Sequence, residues 1–180
     1  MLIGLTGRAG CGKDTVADIL VATFRYHKYS VAKPLKDIAQ IFGFTKDQLY
    51  KDKEVVDEFW DITPRSFLQM VGTDLFRTHW RSDVWVKLAE KNTRPLLESG
   101  RNVVIPDIRF DDEALFVIKM GGFIVKIDRP GQMLAGMEAS HSSESGISDN
   151  LIKHTITNTG SLHDLETTVT NYGLYFGKQK

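Results

Sequence analysis

Short apolar runs alternate with longer stretches of helical periodicity along most of the chain. The apolar runs predict strands at residues 2–6, 29–31, 102–106, 123–127 and 154–157. Apolar residues at helical spacing predict helices at about 13–24, 34–42, from 63 onwards, at 111–120 and from 161 onwards. Because strands and helices alternate, we expect an α/β fold, with a five-stranded parallel sheet covered by helices on both faces.

Two stretches do not follow this alternation. Residues 44–100 carry only helical or irregular patterns, and residues 129–150 are rich in Gly, Ser, His and Pro with little apolar periodicity. Insertions at the ends of parallel strands often handle ligands, and ordered loops of this length tend to be lids. We therefore expect a core of residues 1–43, 101–128 and 151–180. An inserted helical part at 44–100 and a lid at 129–150 interrupt it, although the second stretch also suits a passive surface loop.

A glycine-rich segment joins the first strand to the first helix. Gly7, Gly12 and Lys13 match the G-x-x-x-x-G-K pattern, in which backbone N–H groups and the helix N-terminus face phosphate oxygens. Lysine adds a mobile charge that reaches the β- and γ-phosphates. The predicted phosphate-binding residues are Gly7, Arg8, Ala9, Gly10, Cys11, Gly12, Lys13, Asp14 and Thr15.

Two residues of this segment need separate interpretation. Asp14 stands where the pattern has a magnesium-binding Ser or Thr, so we predict that its carboxylate supports Mg²⁺ directly or through water. Cys11 is expected to be a small residue that fits the loop. A redox-sensitive thiol at the helix N-terminus is the alternative.

A second polar pair follows the strand at 102–106. Asp107 lies at the carboxyl end of this strand, where P-loop proteins place a second magnesium-handling residue, and Arg109 can bind a phosphate bidentately. The alternative is a surface ion pair of little energetic weight. Because ligands of parallel sheets lie outside the carboxyl ends of the strands, we favour the functional interpretation.

The inserted region carries a polar stripe. Thr63 and Pro64 are typical of a helix start, and Arg65, Gln69, Thr73 and Arg77 follow at spacings of four. This set suits an anionic ligand that forms hydrogen bonds, although a solvated helix face is the more common explanation. Trp60 and Trp85 have the rings to stack on a base, although packing in the interior or against a helix is the more common role for each.

Composition limits the possible classes of protein. The 180 residues are 42% hydrophobic and 26% charged, which is typical of one globular domain. The 23 basic and 23 acidic residues balance, which argues against binding of nucleic acid polymers through excess positive charge. One cysteine excludes an intrachain disulfide and a zinc site built from cysteines. No signal peptide or membrane span is recognisable, so we expect a cytoplasmic protein.

The motifs together resemble the bacteriophage-type deoxynucleoside monophosphate kinases of the P-loop nucleoside monophosphate kinase group. The resemblance covers nearly the whole chain and rests on these segments in order: G-R-A-G-C-G-K-D-T at 7–15, A-K-P-L-K at 32–36, T-P-R-x-F-L-Q-x-V-G-T-D at 63–74, D-V-W-V at 83–86, D-I-R-F-D-D-E-A at 107–114, G-G-F-I-V-K-I-D-R-P at 121–130, H-S-S-E at 141–144 and N-T-G-S-L at 158–162. The P-loop alone indicates only the superfamily, whereas the combination is far more specific. Asp111 departs from the family pattern, which has proline there.

The resemblance implies a P-loop NTPase fold with ATP and Mg²⁺ as cofactors. It implies catalytic roles for Lys13, Asp107, Arg109 and Arg129, and contacts from Asn158, Thr159 and Gly160 to the adenine of ATP. The insertion becomes the monophosphate-binding part, and the predicted acceptor contacts are Lys33, Arg65, Gln69, Arg77, Trp85, Arg109 and Glu144. The lid carries few arginines, so His141 is a further, weaker candidate for stabilising the charge on the transferring phosphoryl group.

The implied activity is ATP-dependent phosphorylation of deoxynucleoside 5′-monophosphates for DNA precursor synthesis. The expected partner is a small molecule, with no membrane or nucleic acid polymer, and a homodimer is possible. The host cytoplasm is the expected location if a phage encodes the protein. Three alternatives stay open at the sequence level: a kinase of the dephospho-coenzyme A type, a non-catalytic nucleotide switch, and a kinase of nucleic acid ends.

Overall fold

The computed structural model describes residues 1–130 and 146–177, with side chains described up to residue 173. Most of the predicted lid, including His141 and Glu144, therefore lies outside the described residues. The chain forms two compact units, which are treated separately below. The first comprises Met1–Ser30 with Ala89–Lys180, and the second comprises Val31–Leu88.

The helices and strands follow the order that the apolar pattern predicts. The strands are β1 (Leu2–Thr6), β2 (His27–Lys28), β3 (Val103–Ile105), β4 (Phe123–Asp128) and β5 (Ile152–Thr157). The α-helices are α1 (Lys13–Phe24), α2 (Lys33–Ile41), α3 (Lys46–Tyr50), α4 (Pro64–Gln69), α5 (Val84–Glu98), α6 (Asp111–Lys119) and α7 (Leu162–Gly177). A π-helix at Met70–Trp80 and a short 3₁₀ turn at Asp149–Leu151 complete the described elements.

The five strands form one parallel sheet in the order β2-β3-β1-β4-β5, which confirms the predicted fold class. The second strand begins two residues earlier than expected. It pairs His27 with Val103 and Lys28 with Val104. One further bond joins the N–H of Tyr29 to the carbonyl of Val104 (2.9 Å).

The central strand β1 is buried along its whole length, as expected for a sheet covered on both faces. Alternate residues point to opposite faces. Ile3 and Leu5 pack in the apolar core that α1 and α7 cover. On the other face, a Cβ at Gly4 would lie 3.0 Å from Ile108 and 3.3 Å from Val117 of α6. The two faces of β1 are therefore covered by different helices.

The second unit has a small core of its own. Its buried members are Ala39, Phe44, Leu49, Phe67 and Val71. Thr45 caps α3 by accepting a hydrogen bond from the backbone of Gln48 (3.2 Å), while Gln48 accepts one from the N–H of Thr45 (2.8 Å). Thr63 caps α4 by accepting a hydrogen bond from the backbone N–H of Ser66 (3.1 Å), and Pro64 stands at the start of the helix, which confirms the predicted helix beginning.

The π-helix after α4 was not expected from the sequence, whose spacing predicts an α-helix throughout. Thr78 donates from its hydroxyl to the carbonyl of Thr73, five residues earlier (3.3 Å). Gly72 packs tightly, since a Cβ there would lie 2.6 Å from Leu35 Cδ2. π-Helices are rare and occur frequently at functional sites.

Within the part of the chain that the structure describes, no helix has the length and apolar character needed to cross a membrane.

Candidate active site

The phosphate loop runs from Gly7 to Gly12, between the end of β1 and the start of α1. Both glycines have positive φ, +134° at Gly7 and +105° at Gly12. A Cβ at Gly7 would in addition lie 2.2 Å from the carbonyl oxygen of Ile127. A Cβ at Gly12 would lie 2.8 Å from the Nδ2 atom of Asn158, so both positions need glycine for conformation and for space.

Lys13 lies across this loop. Its ammonium group donates to the carbonyl oxygens of Gly7 (2.7 Å) and Arg8 (2.8 Å), and lies 3.8 Å from the Sγ atom of Cys11. A positive side chain and the N-terminus of α1 are therefore close together, which is the electrostatic environment that binds a polyphosphate.

Cys11 points into the interior of the first unit. Its side chain is 1% exposed and belongs to the same apolar cluster as Ile127, Ile156 and Leu165. This placement fits the expectation of a residue that packs beneath the loop.

Asp14 lies on the outer side of α1 and forms an ion pair with Lys28 (2.9 Å), the last residue of β2. The same ammonium group binds Asp18 at 2.9 Å. Burial alone would lower the pKa of Lys28, but hydrogen bonds and Coulomb attraction to the two carboxylates outweigh it and raise that pKa. The predicted metal residue Asp14 is thus already engaged by a cation.

Asp107 follows β3 at the edge of the sheet next to the phosphate loop. Gly4 of β1 pairs with Ile105, so Asp107 lies beside the end of β1, where the loop begins. Its carboxylate accepts a hydrogen bond from the hydroxyl of Ser30 (2.7 Å), which follows β2. Two neighbouring strand ends thereby bring a hydroxyl and a carboxylate together beside the loop.

Arg109 is half-buried in the turn between β3 and α6, and Glu113 fixes its main chain. The buried carboxylate of Glu113 accepts hydrogen bonds through one oxygen from the N–H groups of Arg109 (2.8 Å) and Phe110 (3.3 Å). Glu113 itself is only 4% exposed. A buried charge that binds backbone donors holds the turn in one conformation.

Asn158 contacts the phosphate loop directly. Its side-chain amide donates to the carbonyl of Cys11 (2.9 Å), and its backbone N–H donates to the carbonyl of Asp128 (2.7 Å). Gly160 lies two residues further, against the Asp164 carboxylate that bonds Ser161 at the start of α7. The expected contact of Asn158 and Gly160 with adenine stays a prediction.

Arg129 is exposed and directly follows β4. The neighbouring strand β1 pairs its last residue, Thr6, with Lys126. Arg129 therefore follows the end of the strand that lies beside β1, and β1 leads into the phosphate loop. The catalytic role of Arg129 stays a prediction.

The second unit holds most of the predicted acceptor contacts. These residues are Lys33, Arg65, Gln69, Arg77 and Trp85. Lys33 forms an ion pair with Asp37 (2.6 Å), and Arg65 forms one with Glu54. The polar stripe continues from α4 into the π-helix, so its later members do not keep the α-helical geometry that the sequence predicts.

Arg77 and Trp85 have structural contacts inside this unit. The guanidinium of Arg77 donates to the carbonyl of Ser82 (3.0 Å). Trp85 is 7% exposed, its indole N–H donates to the carbonyl of Gly72 (2.9 Å), and its ring packs edge-on against Phe76. This placement fits the packed interior that the sequence favours for Trp85, and its contact with the acceptor stays a prediction.

The implied magnesium ion fits the oxygen donors near the phosphate loop. Mg²⁺ typically uses one or two carboxylates, with substrate phosphates and water completing its coordination. Asp107 provides such a carboxylate, with one oxygen hydrogen-bonded and oriented by Ser30. Among the described residues, no cluster of three or more His, Cys, Asp or Glu forms a metal site.

Three residues of the site were missed from the sequence: Lys28, Ser30 and Glu113. A sequence signal existed only for Glu113, because a Glu three residues after a helix-start position often binds backbone N–H groups. Lys28 and Ser30 join the site through the position of β2, and no local motif marks them.

Comparison with known proteins identifies the family of the chain. A family model described as deoxynucleotide monophosphate kinase matches residues 40–169. A protein of Acanthamoeba polyphaga mimivirus, assigned as a deoxynucleotide monophosphate kinase, is 36% identical over 158 residues and 80% of each chain. The deoxynucleoside-5′-monophosphate kinase of Escherichia phage T5 is 26% identical, over 96% of this chain and 95% of its own.

Solved structures support the fold. The dephospho-CoA kinase of Campylobacter jejuni matches with a TM-score of 0.56 and 13% identity, over 99% of this chain and 98% of its own. A sugar kinase from Janibacter sp. matches with a TM-score of 0.53 and 10% identity, over 95% and 92%. At such identities the likeness concerns the α/β kinase fold alone. The family match and the mimivirus relative carry the assignment, and the chain belongs to the deoxynucleotide monophosphate kinase family.

Proposed function

We propose that this protein transfers the γ-phosphoryl group of ATP to the 5′-phosphate of a deoxynucleoside monophosphate. The observation that carries the proposal is the phosphate loop with Lys13 lying across it and Asp107 at the adjacent strand end. Membership of the deoxynucleotide monophosphate kinase family supports the acceptor class. The names of the mimivirus and phage T5 relatives point to the same acceptor.

The chemistry requires little beyond alignment and charge stabilisation. The acceptor phosphate is ionised at neutral pH, so no general base is needed. Lys13 binds the donor phosphates and stabilises the negative charge that develops between donor and acceptor. Asp107 is the carboxylate that would hold Mg²⁺, which would supply positive charge to the donor phosphates.

Arginines supply the remaining charge in this proposal. Arg109, held through its backbone by Glu113, binds the acceptor phosphate bidentately. Arg129 binds the phosphoryl group during transfer. Lys33, Arg65, Gln69 and Arg77 stay predicted contacts of the acceptor from the second unit.

A coupled assay of ADP release tests the proposal. ATP and Mg²⁺ are supplied with each deoxynucleoside monophosphate, the matching ribonucleotides or dephospho-coenzyme A. We expect turnover with at least one deoxynucleotide and none without an acceptor. Turnover with dephospho-coenzyme A alone would show that the acceptor belongs to a different class. Absence of turnover with every acceptor would contradict the proposal.

In the same assay, Lys13→Met tests the role of the lysine that lies across the phosphate loop. We expect a loss of at least about a hundredfold in kcat, since removal of one transition-state charge costs several kcal/mol. Lys91→Met, which changes an exposed lysine of α5, should keep wild-type turnover. Retention of more than about a tenth of the activity by Lys13→Met would contradict the role of this lysine.

A further inference from the structure

Asn158, predicted to contact the base of the donor, is buried and hydrogen-bonded to the first unit. It is 7% exposed and follows β5 directly, and its backbone N–H is bonded to the carbonyl of Asp128 (2.7 Å) at the end of β4. Both the main chain and the side chain are therefore fixed by the first unit itself. A residue held in this way is suited to orient a neighbouring group.

The neighbouring group is a peptide of the phosphate loop. The side-chain amide of Asn158 donates to the carbonyl oxygen of Cys11 (2.9 Å). That carbonyl and the N–H of Gly12 belong to one planar trans peptide, so they point in opposite directions. Attraction of the carbonyl towards Asn158 therefore turns the N–H of Gly12 away from β5.

Gly12 shows how closely the two segments approach. A Cβ at this position would lie 2.8 Å from the Nδ2 atom of Asn158, and φ of Gly12 is +105°. The side chain of Cys11, the residue before Gly12, packs in the core of the first unit. The loop peptide is thus held by its carbonyl and by the buried side chain of Cys11.

From these contacts we infer that Asn158 is a positioning residue for the donor's polyphosphate chain. It sets the orientation of the Cys11–Gly12 peptide, so that the N–H of Gly12 is available to a phosphate oxygen before the donor binds. The inference rests on the proposed function only in that the donor carries a polyphosphate. It assigns to Asn158 a role that is independent of the donor base.

The test uses a probe that has no base. Binding of inorganic tripolyphosphate, with Mg²⁺, is measured by titration calorimetry for the full chain and for Asn158→Asp and Asn158→Ala. Aspartate has the same shape but cannot donate, and it places a negative charge against the Cys11 carbonyl. Thr155→Val on the exposed side of β5 is the matched control.

We expect both Asn158 variants to bind tripolyphosphate about tenfold more weakly, which corresponds to one lost hydrogen bond. KM for ATP and for GTP should rise by the same factor, while KM for the acceptor stays unchanged. Equal tripolyphosphate affinity in wild type and variants would overturn the inference. So would a loss confined to ATP, because that result identifies a base contact.

Two further measurements separate unfolding of a variant from loss of binding, and the inference from the proposed function. Thermal unfolding of each variant is recorded, and a variant that is unfolded at the assay temperature is replaced by Asn158→Ser. Wild-type protein that binds tripolyphosphate in an Asn158-dependent way but phosphorylates no acceptor would contradict the proposed function alone. Wild-type protein that does not bind tripolyphosphate would overturn the inference itself.

Discussion

Removal of the Glu113 side chain should lower the free energy of unfolding by an amount that follows from two hydrogen bonds. Its carboxylate accepts from the N–H groups of Arg109 (2.8 Å) and Phe110 (3.3 Å) through a single oxygen, at 4% exposure. Glu113→Ala leaves both donors without this acceptor. A backbone donor that loses its partner in a buried place costs about 1–3 kcal/mol. We therefore expect the free energy of unfolding to fall by about 2–4 kcal/mol, a large part of a typical domain's stability.

The matched variant Glu113→Gln separates the hydrogen bonds from the charge. Its amide oxygen can still accept from both N–H groups, but a neutral acceptor is weaker than a carboxylate. We expect a loss of about 1 kcal/mol for this variant. Glu166→Ala, on the exposed side of α7, should stay within about 0.5 kcal/mol of wild type.

Urea unfolding followed by circular dichroism measures the three variants, and the kinase assay then measures KM for the acceptor. Because the turn carries Arg109, we expect that KM to rise in Glu113→Ala more than in Glu113→Gln. A Glu113→Ala protein as stable as Glu166→Ala would refute the reasoning. It would show that water replaces the carboxylate at these two N–H groups without cost.

Four other substitutions test further parts of the structure. Gly122→Ala places a Cβ 2.4 Å and 2.9 Å from two backbone carbonyl oxygens, so urea unfolding should show about 2 kcal/mol of destabilisation. Gly100→Ala, in open space at φ +79°, should cost only about 1 kcal/mol. Burial raises the pKa of Tyr26 to about 12 from 10.0, so wild-type stability should fall between these pH values more steeply than that of Tyr26→Phe. A parallel pH dependence of the two proteins would contradict the burial of that phenol. Ser30→Ala removes the donor to Asp107 and should raise the Mg²⁺ concentration for half-maximal activity severalfold, whereas an unchanged requirement would exclude this role.

The sheet could be predicted because its signals are local. A buried run such as Leu2–Thr6 followed by a glycine turn and a helical period specifies a strand, a loop and a helix without information from distant residues. The phosphate loop was found for the same reason. The short β2 was placed two residues late, because its limits depend on the partners that β3 offers and not on its own sequence.

The parts that escaped prediction depend on contacts between distant segments. Ser30 meets Asp107 across 77 positions of sequence, and Asn158 meets Cys11 across 147. Neither pair has a spacing that a motif could reveal. The π-helix escaped for a different reason, because an apolar period read at α-helical spacing does not distinguish it from an α-helix.

The place of β1 in the sheet has a consequence for how the chain folds during synthesis. The strand leaves the ribosome long before its partners, since β3 and β4 begin only at Val103 and Phe123. The N-terminal ammonium group likewise binds the side chain of Asn102, 101 residues away (3.1 Å). Such a high contact order slows folding, because long loops must close before the pairing gains free energy. The apolar strand β1 therefore lacks its partners until Val103 and Phe123 have been made, and truncations that end before them should aggregate instead of binding nucleotide.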